Sequence, residues 1–434
     1  MVPVPDFAAH RQRLLDTLDE DEAVLVFGGP TTLRNGDADY RYRPDSDVYW
    51  LSGWEGPDVA LFLRPGDEPF VVFCQPKNRE REIWTGIRPG PEGAKENYAA
   101  DIAFSMEELD RELPRLLQGV SCLHYTFARF PNYDQQLMAA IHSATRAARR
   151  NGLDIPETFK APSRHFHELR LRKGPDEAEV LRRAAEISAA GHLEAMKRAA
   201  PGVNEYEVEA AMTNVFRQMG TTGCGYVPIV AGGANATILH YVTNRDPLKD
   251  GDLLLIDAGA EHCYYTGDIT RTFPVNGTFS DIQRRTYEWV LKAQLAAIDT
   301  ARPGRTINEV HDAAVRIITE GMLDLGLLEG DIEELIADGS FKKYYMHGTS
   351  HWLGLDVHDP GMMGRKGKSR ELEPGLVLTV EPGLYVPADD EEAPEPLRGM
   401  GIRIEDDILV SVGDPEVLTA AVPKTVEELE AFCS

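Results

Sequence analysis

The spacing of apolar residues changes several times along the chain, and each change marks an element. Phe7–Leu18 has helical spacing, while Ala23–Phe27, Val59–Leu63 and Phe70–Cys74 are short continuous apolar runs, the signature of buried strands. Met106–Leu117 and Tyr133–Arg150 return to the helical period, the second with Leu137, Ala140, Ile141 and Ala144 on one face. Strands interleaved with helices predict an α/β N-terminal domain. Asn151–Arg164 holds Pro156 and Pro162 and has no periodicity, so it predicts a linker, with domains at 1–160 and 161–434. A long helix follows from Pro175 to Ala199; Pro175, Asp176 and Glu177 suit its positive N-terminal end.

The C-terminal stretch Gly251–Gly259 is a run of aliphatic residues that ends in Asp257 and is closed by glycine at either end. A carboxylate left unpaired in so dry a place is costly. Gly267–Phe273 offers a second carboxylate, Asp268, in another strand-like run, and Ala260–Thr266 between them predicts the arm of a hairpin. Two antiparallel strands would set Asp257 beside Asp268, and like charges that close need a cation or a shared proton.

The arrangement occurs twice. Gly375–Gly383 repeats the pattern of glycine, strand, carboxylate and glycine, with Glu381 in the place of Asp257; Gly401–Ile408 follows with Glu405 answering Asp268. Ahead of each copy a helix runs into Pro-Gly and a second helix: Pro201-Gly202 into Glu205–Met219, and Pro303-Gly304 into Asn308–Met322. An α+β domain with an internal pseudo-two-fold duplication, its halves meeting at four carboxylates, accounts for all of this.

Charge removes some functions. The net charge of −26 argues against nucleic acid and anionic membranes, both of which need a basic face. Five scattered cysteines without a C-x-x-C pair indicate neither a disulfide framework nor a thiolate zinc site. No apolar run is long enough to span a bilayer and no secretory signal opens the chain, so a cytoplasmic protein is expected. Phe27-Gly28-Gly29-Pro30 lacks the Gly-Lys-Ser/Thr of a phosphate-binding loop.

Of 12 histidines, His10, His142, His165 and His167 read as surface or linker. His347, His351 and His358 instead fall in one short run, His347–Asp359, among glycines and apolar residues just upstream of Glu381. That is a site composition. His240, in Ile238-Leu239-His240-Tyr241, is a further candidate.

Asp257, Asp268, His351, Glu381 and Glu405, in order and local context, resemble the five metal ligands of the pita-bread metallopeptidases. Gly267–Pro274, His347–Asp359, Thr379–Tyr385 and Ile402–Asp407 look most like the aminopeptidase P branch; Asp39–Arg43 and Ser46–Gly53 resemble its N-terminal domain. The departures are Pro360 beside the histidine run and the acidic insert Ala388–Pro396. The resemblance implies two divalent ions, with Asp257 on one, His351 and Glu381 on the other, and Asp268 and Glu405 bridging. A donor set of mostly oxygen matches Mn²⁺ best and is compatible with Zn²⁺, Co²⁺ and Fe²⁺. Four ligand charges balance two such ions. Without them, carboxylates ~4 Å apart repel by roughly 4 kcal/mol at an effective dielectric of about 20.

The activity implied is release of the residue that precedes proline at a peptide N-terminus, by attack of hydroxide supported by two metals. By the same resemblance Glu381 also handles the nucleophile's proton, and His240 and His358 contact the carbonyl oxygen or the tetrahedral intermediate. His347 shapes the proline-side pocket, and Tyr385 and Arg403 orient the site. A homodimer or homotetramer is implied, in which Asp39 and Trp84 line a neighbouring subunit's pocket. The alternatives are a prolidase restricted to Xaa-Pro dipeptides and a non-catalytic binding module; retention of all five ligands disfavours the second.

Overall fold

The computed structural model describes residues Val4–Cys433, and the chain divides into a unit spanning Pro5–Arg170 and a larger one from Leu171 onward. In the first unit the apolar runs assemble into one six-stranded mixed sheet. Its order is Ile102–Ser105, Phe70–Cys74, Val59–Leu63, Glu22–Gly28, Cys122–His124 and Thr158–Lys160. Every residue of the three longest strands is buried, which is why they read as continuous apolar runs instead of alternating ones. Helices Leu109–Leu116 and Pro131–Asn151 pack Leu109, Leu113, Leu137, Ala140 and Ala144 against Ala23, Leu25 and Phe27.

The expected linker is partly structured. Thr158–Lys160 is the sixth strand, parallel to Cys122–His124, and a helix, Ser163–Leu171, follows it. The units therefore part after Arg170, later than the 160/161 boundary expected. A three-residue exposed edge strand is too short to carry a period. His10 departs from its surface reading: it is buried, its Nδ1 lies 2.8 Å from the Trp50 carbonyl, and its ring stacks on Trp50 at 4.5 Å.

In the larger unit the duplication is written in the backbone. The first half carries helices Pro175–Arg198 and Glu205–Gln218 and an antiparallel sheet of Ile229–Gly232, Leu253–Asp257 and Thr270–Pro274. The second carries helices Asp281–Thr300 and Ile307–Asp324 and the strands Val377–Val380, Asp406–Leu409 and Glu416–Val417. Gly202 and Gly304 match at φ +86° and +82°, and Gly251 and Gly375 at +84° and +91°, a region that glycine enters without steric cost. Even the connecting hydrogen bonds repeat: Gly202 N–H to Leu248 O (2.8 Å) and Gly304 N–H to Leu372 O (3.0 Å). The next pair is Glu205 N–H to Asp246 O and Ile307 N–H to Arg370 O, both 3.1 Å.

Leu253–Asp257 pairs with Thr270–Pro274 in a register that sets Asp257 opposite Thr270. The residues between do not form a plain hairpin arm; Ala260–His262 and Tyr265–Thr266 turn back as a ribbon of their own. Where the chain crosses itself there is no room for a side chain: a Cβ on Gly259 would stand 1.6 Å from the Gly267 carbonyl oxygen. The histidine run lies alongside Val377–Val380, through Leu353 N–H to Val377 O (3.1 Å), Thr379 N–H to His351 O (2.9 Å) and Glu381 N–H to Thr349 O (2.8 Å). Among the described residues, no helix is long and apolar enough to cross a membrane.

Candidate metal centre

A cavity of about 490 Å³ opens where the two halves meet. Asp257, Asp268, His351, Glu381 and Glu405 line it, together with His240, His347, His358 and Arg403. Each carboxylate is delivered by a strand end. Asp257 closes Leu253–Asp257, Asp268 precedes Thr270–Pro274, Glu381 follows Val377–Val380, and Glu405 precedes Asp406–Leu409. Apolar strands can run through the core because the charges sit where they end.

The donor atoms converge. Ligand atoms of Asp268, His351 and Glu405 lie within 4.8 Å of one another. His351 Nε2 stands 3.4 Å from Asp268 and 3.6 Å from Glu381, while its Nδ1 faces the Trp352 carbonyl at 3.0 Å. With the Nδ1 proton donated to that carbonyl, Nε2 faces two carboxylates, a place for either a proton or a cation.

Acceptors outnumber donors here. The Tyr226 hydroxyl contacts both Asp257 (2.6 Å) and Asp268, yet it has one proton to give. Burial, joined by Asp257 and Asp268, holds that phenol well above its ordinary range. Burial likewise pushes Glu381 up to about 7 against the opposing pull of His351 and Arg403. Glu405 is raised well above the usual carboxylate range by burial and then by Asp268. For His351 burial opposes the charged form, but Asp268 and Glu381 outweigh it and lift the imidazole to about 9. So much buried negative charge is what a divalent-cation site looks like before loading. Four carboxylates and one imidazole fit such ions.

Around this centre the other expected residues fall in two groups. His240 and His358 are exposed to the cavity, and the His358 ring meets His351 edge-on at 4.4 Å. Arg403 is buried and bonds Asp257 at 2.6 Å and the Tyr385 hydroxyl at 3.0 Å. Tyr385 OH in turn lies 2.9 Å from His347 Nε2, and His347 Nδ1 lies 2.8 Å from the Gly348 carbonyl. This is one directional chain of donors from Arg403 to Gly348. Tyr385, however, is buried beneath the wall and is not among the residues lining the cavity, so it reaches the cavity through His347 and not directly. Asp39 and Trp84 are exposed residues of the N-terminal unit and do not line this cavity.

Sequence reasoning passed over Tyr226 and Thr270. Tyr226 precedes Ile229–Gly232, the strand that sets Ile229 opposite Asp257, and it follows Gly225, whose hypothetical Cβ would strike Thr266. A tyrosine directly after a glycine, just ahead of an apolar strand, was the available signal. The Thr270 hydroxyl donates to Glu405 at 2.6 Å and receives Arg403 Nε at 3.1 Å. Its position opposite Asp257 marks it only once the register is known.

Similarity to known proteins agrees with this geometry. Residues 179–411 match Metallopeptidase family M24, and residues 7–124 match the Aminopeptidase P, N-terminal domain. The chain is 42% identical to the Xaa-Pro aminopeptidase of Escherichia coli (strain K12), covering 98% of this chain and 97% of that one. It is 32% identical to human Xaa-Pro aminopeptidase 3, covering 99% and 86%. The structure of Pseudomonas aeruginosa aminopeptidase PepP superposes with a TM-score of 0.97 at 44% identity, covering 100% and 99%. A zinc-substituted E. coli aminopeptidase P in complex with product gives 0.95 at 42%, covering 99% and 97%. The chain belongs to metallopeptidase family M24, with the pita-bread fold, in its Xaa-Pro aminopeptidase branch.

Proposed function

We propose that this chain removes the N-terminal residue from peptides whose second residue is proline. The observation that carries the reading is the convergence of Asp257, Asp268, His351, Glu381 and Glu405 on one cavity in a chain related along its whole length to Xaa-Pro aminopeptidases. Asp257 would hold one divalent ion, His351 and Glu381 a second, and Asp268 and Glu405 would contribute to both; Mn²⁺ would suit the oxygen-rich set best. Such ions supply Lewis acidity that polarises the scissile carbonyl and eases deprotonation of water.

The protein's own groups do the rest. Glu381 takes the proton of the attacking water and passes it to the leaving amine. His358 and His240, open to the cavity, donate to the carbonyl oxygen as negative charge develops on it. His347, fixed by Tyr385, walls the side that receives proline.

Peptide length and assembly belong to the same reading. Trp84 is 87% exposed, with Ile83 at 76% and Ile87 at 91%; apolar side chains grouped in this way favour a covering partner. Another copy in a homodimer or homotetramer supplies that cover and brings Asp39 and Trp84 to a neighbouring cavity. The protein works in the cytoplasm on free peptides, without nucleic acid or membrane. The test is metal analysis of the purified protein beside rates on Xaa-Pro-Yaa tripeptides and Xaa-Pro dipeptides. Faster tripeptide cleavage is expected, with two equivalents of metal; strict preference for dipeptides makes the protein a prolidase.

A further inference from the structure

The two halves differ at the residue that opens their second helix. In the second half it is Ile307, apolar and buried; in the first it is Glu205, with no accessible surface. A buried carboxylate at a position where the duplicate uses isoleucine is costly unless its hydrogen bonds are complete. They are. Oε1 accepts from Gly232 N–H and Asn235 Nδ2, both at 2.9 Å; Oε2 accepts from the Tyr241 hydroxyl at 2.8 Å and Asp246 N–H at 3.0 Å.

All four donors come from one segment, residues 232–246. Gly232 ends the strand Ile229–Gly232, paired with Leu254; beyond it the segment has only the single 3-10 turn Gly233–Thr237 and no ladder of its own. It also builds one wall of the cavity, through Leu239, His240 and Val242. His240 is the neighbour of Tyr241 and lies between the second and third of the four donors. The carboxylate thus does for this wall what strand pairing does for the metal-bearing elements.

We propose that Glu205 is a positioning residue that holds the 232–246 wall, and with it His240, at the working distance from the reacting carbonyl. The inference rests on the reading of His240 as a group that contacts substrate. It gives the isoleucine-to-glutamate difference between the halves a functional reason, since a buried apolar residue would leave four donors of the wall without an acceptor.

The test is a double-mutant cycle on the metal-loaded protein, with Glu205→Gln, His240→Ala and the pair assayed on an Xaa-Pro-Yaa peptide. Glutamine keeps the shape but turns its NH₂ toward the Asp246 N–H, which cannot rotate away. Glu205→Gln is expected to lower kcat about ten- to a hundredfold, with metal content unchanged. Because Glu205 acts through His240, it should lower kcat little further in the His240→Ala background. Losses that multiply across the cycle overturn the inference, as does a fully active Glu205→Gln beside an impaired His240→Ala. A fully active His240→Ala overturns the reading of His240 itself. Should Glu205→Gln fail to fold, Tyr241→Phe, which removes one of the four bonds, replaces it in the same cycle with the same outcomes and a smaller effect.

Discussion

The first half of the catalytic unit braces the carboxylate that ends its strand with two short hydrogen bonds, and the second half does not. Asp257 receives Arg403 and Tyr226, each at 2.6 Å. Glu381, its counterpart, has only longer contacts among the described residues, from the Thr379 hydroxyl at 3.4 Å, His351 Nε2 at 3.6 Å and His347 Nδ1 at 4.0 Å, and burial lifts it to about 7. The bracing also runs crosswise: Arg403 of the second half serves Asp257 of the first, while Thr270 of the first serves Glu405 of the second. A duplicated scaffold can therefore give two chemically distinct carboxylates, one braced by two short hydrogen bonds and one free to take a proton.

The hardest test of that contrast is to remove the cation that both halves are proposed to share. Exhaustive chelation is expected to abolish peptidase activity while far-UV circular dichroism stays near native, because the ligands end strands of a large core. Mn²⁺ should restore turnover; full activity after verified metal depletion would end the two-metal reading.

Next comes the residue with the free proton. Glu381→Gln should lower kcat by about a hundredfold or more, since it removes both a ligand charge and the base. Stopped assays with matched metal content check this, and a loss below threefold would assign the proton to another group. His358→Ala, by contrast, should cost about ten- to a hundredfold in kcat with metal retained. Loss of metal in that variant would exchange its role with that of His351.

A subtler effect belongs to the metal-free protein. Glu381 is raised from 4.5 to about 7 and His351 from 6.5 to about 9. Both fold with more protons bound than they hold when unfolded. Their stabilisation is complete below the unfolded values and is lost as pH rises through the folded ones. The chelated protein should thus lose Tm steadily from about pH 5 to about pH 9, and metal should flatten the profile. A Tm that rises over this window would contradict the contrast between the halves. The smallest effect is expected from Tyr226→Phe, which removes a donor from the better-served half. Activity with metal bound should change less than threefold, and the chelated protein should lose about 1 kcal/mol of stability.

Much of this centre is legible in the sequence. Glycine-bounded aliphatic runs that end in acids recur in order, and they name Asp257, Asp268, Glu381 and Glu405 without knowledge of the fold. The histidine run followed from its glycine-rich surroundings, and His351 within it from the family resemblance. What escaped was whatever depends on cross-chain register. Thr270 is an ordinary strand threonine until Asp257 is found opposite it, and Tyr226 has no periodic partner. Glu205 reads as a helix-opening acid, which is ordinary surface chemistry; only its complete burial, with four donors around it, shows otherwise. Thr158–Lys160 hid for another reason, since three exposed residues cannot display alternation. Tyr385, expected to orient the site, is buried at 1% exposure and reaches the cavity through His347.

The crossing at Gly259 constrains how this protein can change. The obstacle to a side chain there is a backbone oxygen, which no rotamer can move aside. The separation of the strands that carry Asp257 and Asp268 is set by an atom that is missing. Mutational drift can therefore sample new side chains on the cavity rim, and new substrates with them, while the spacing of the inner acids has no single-residue path along which to wander.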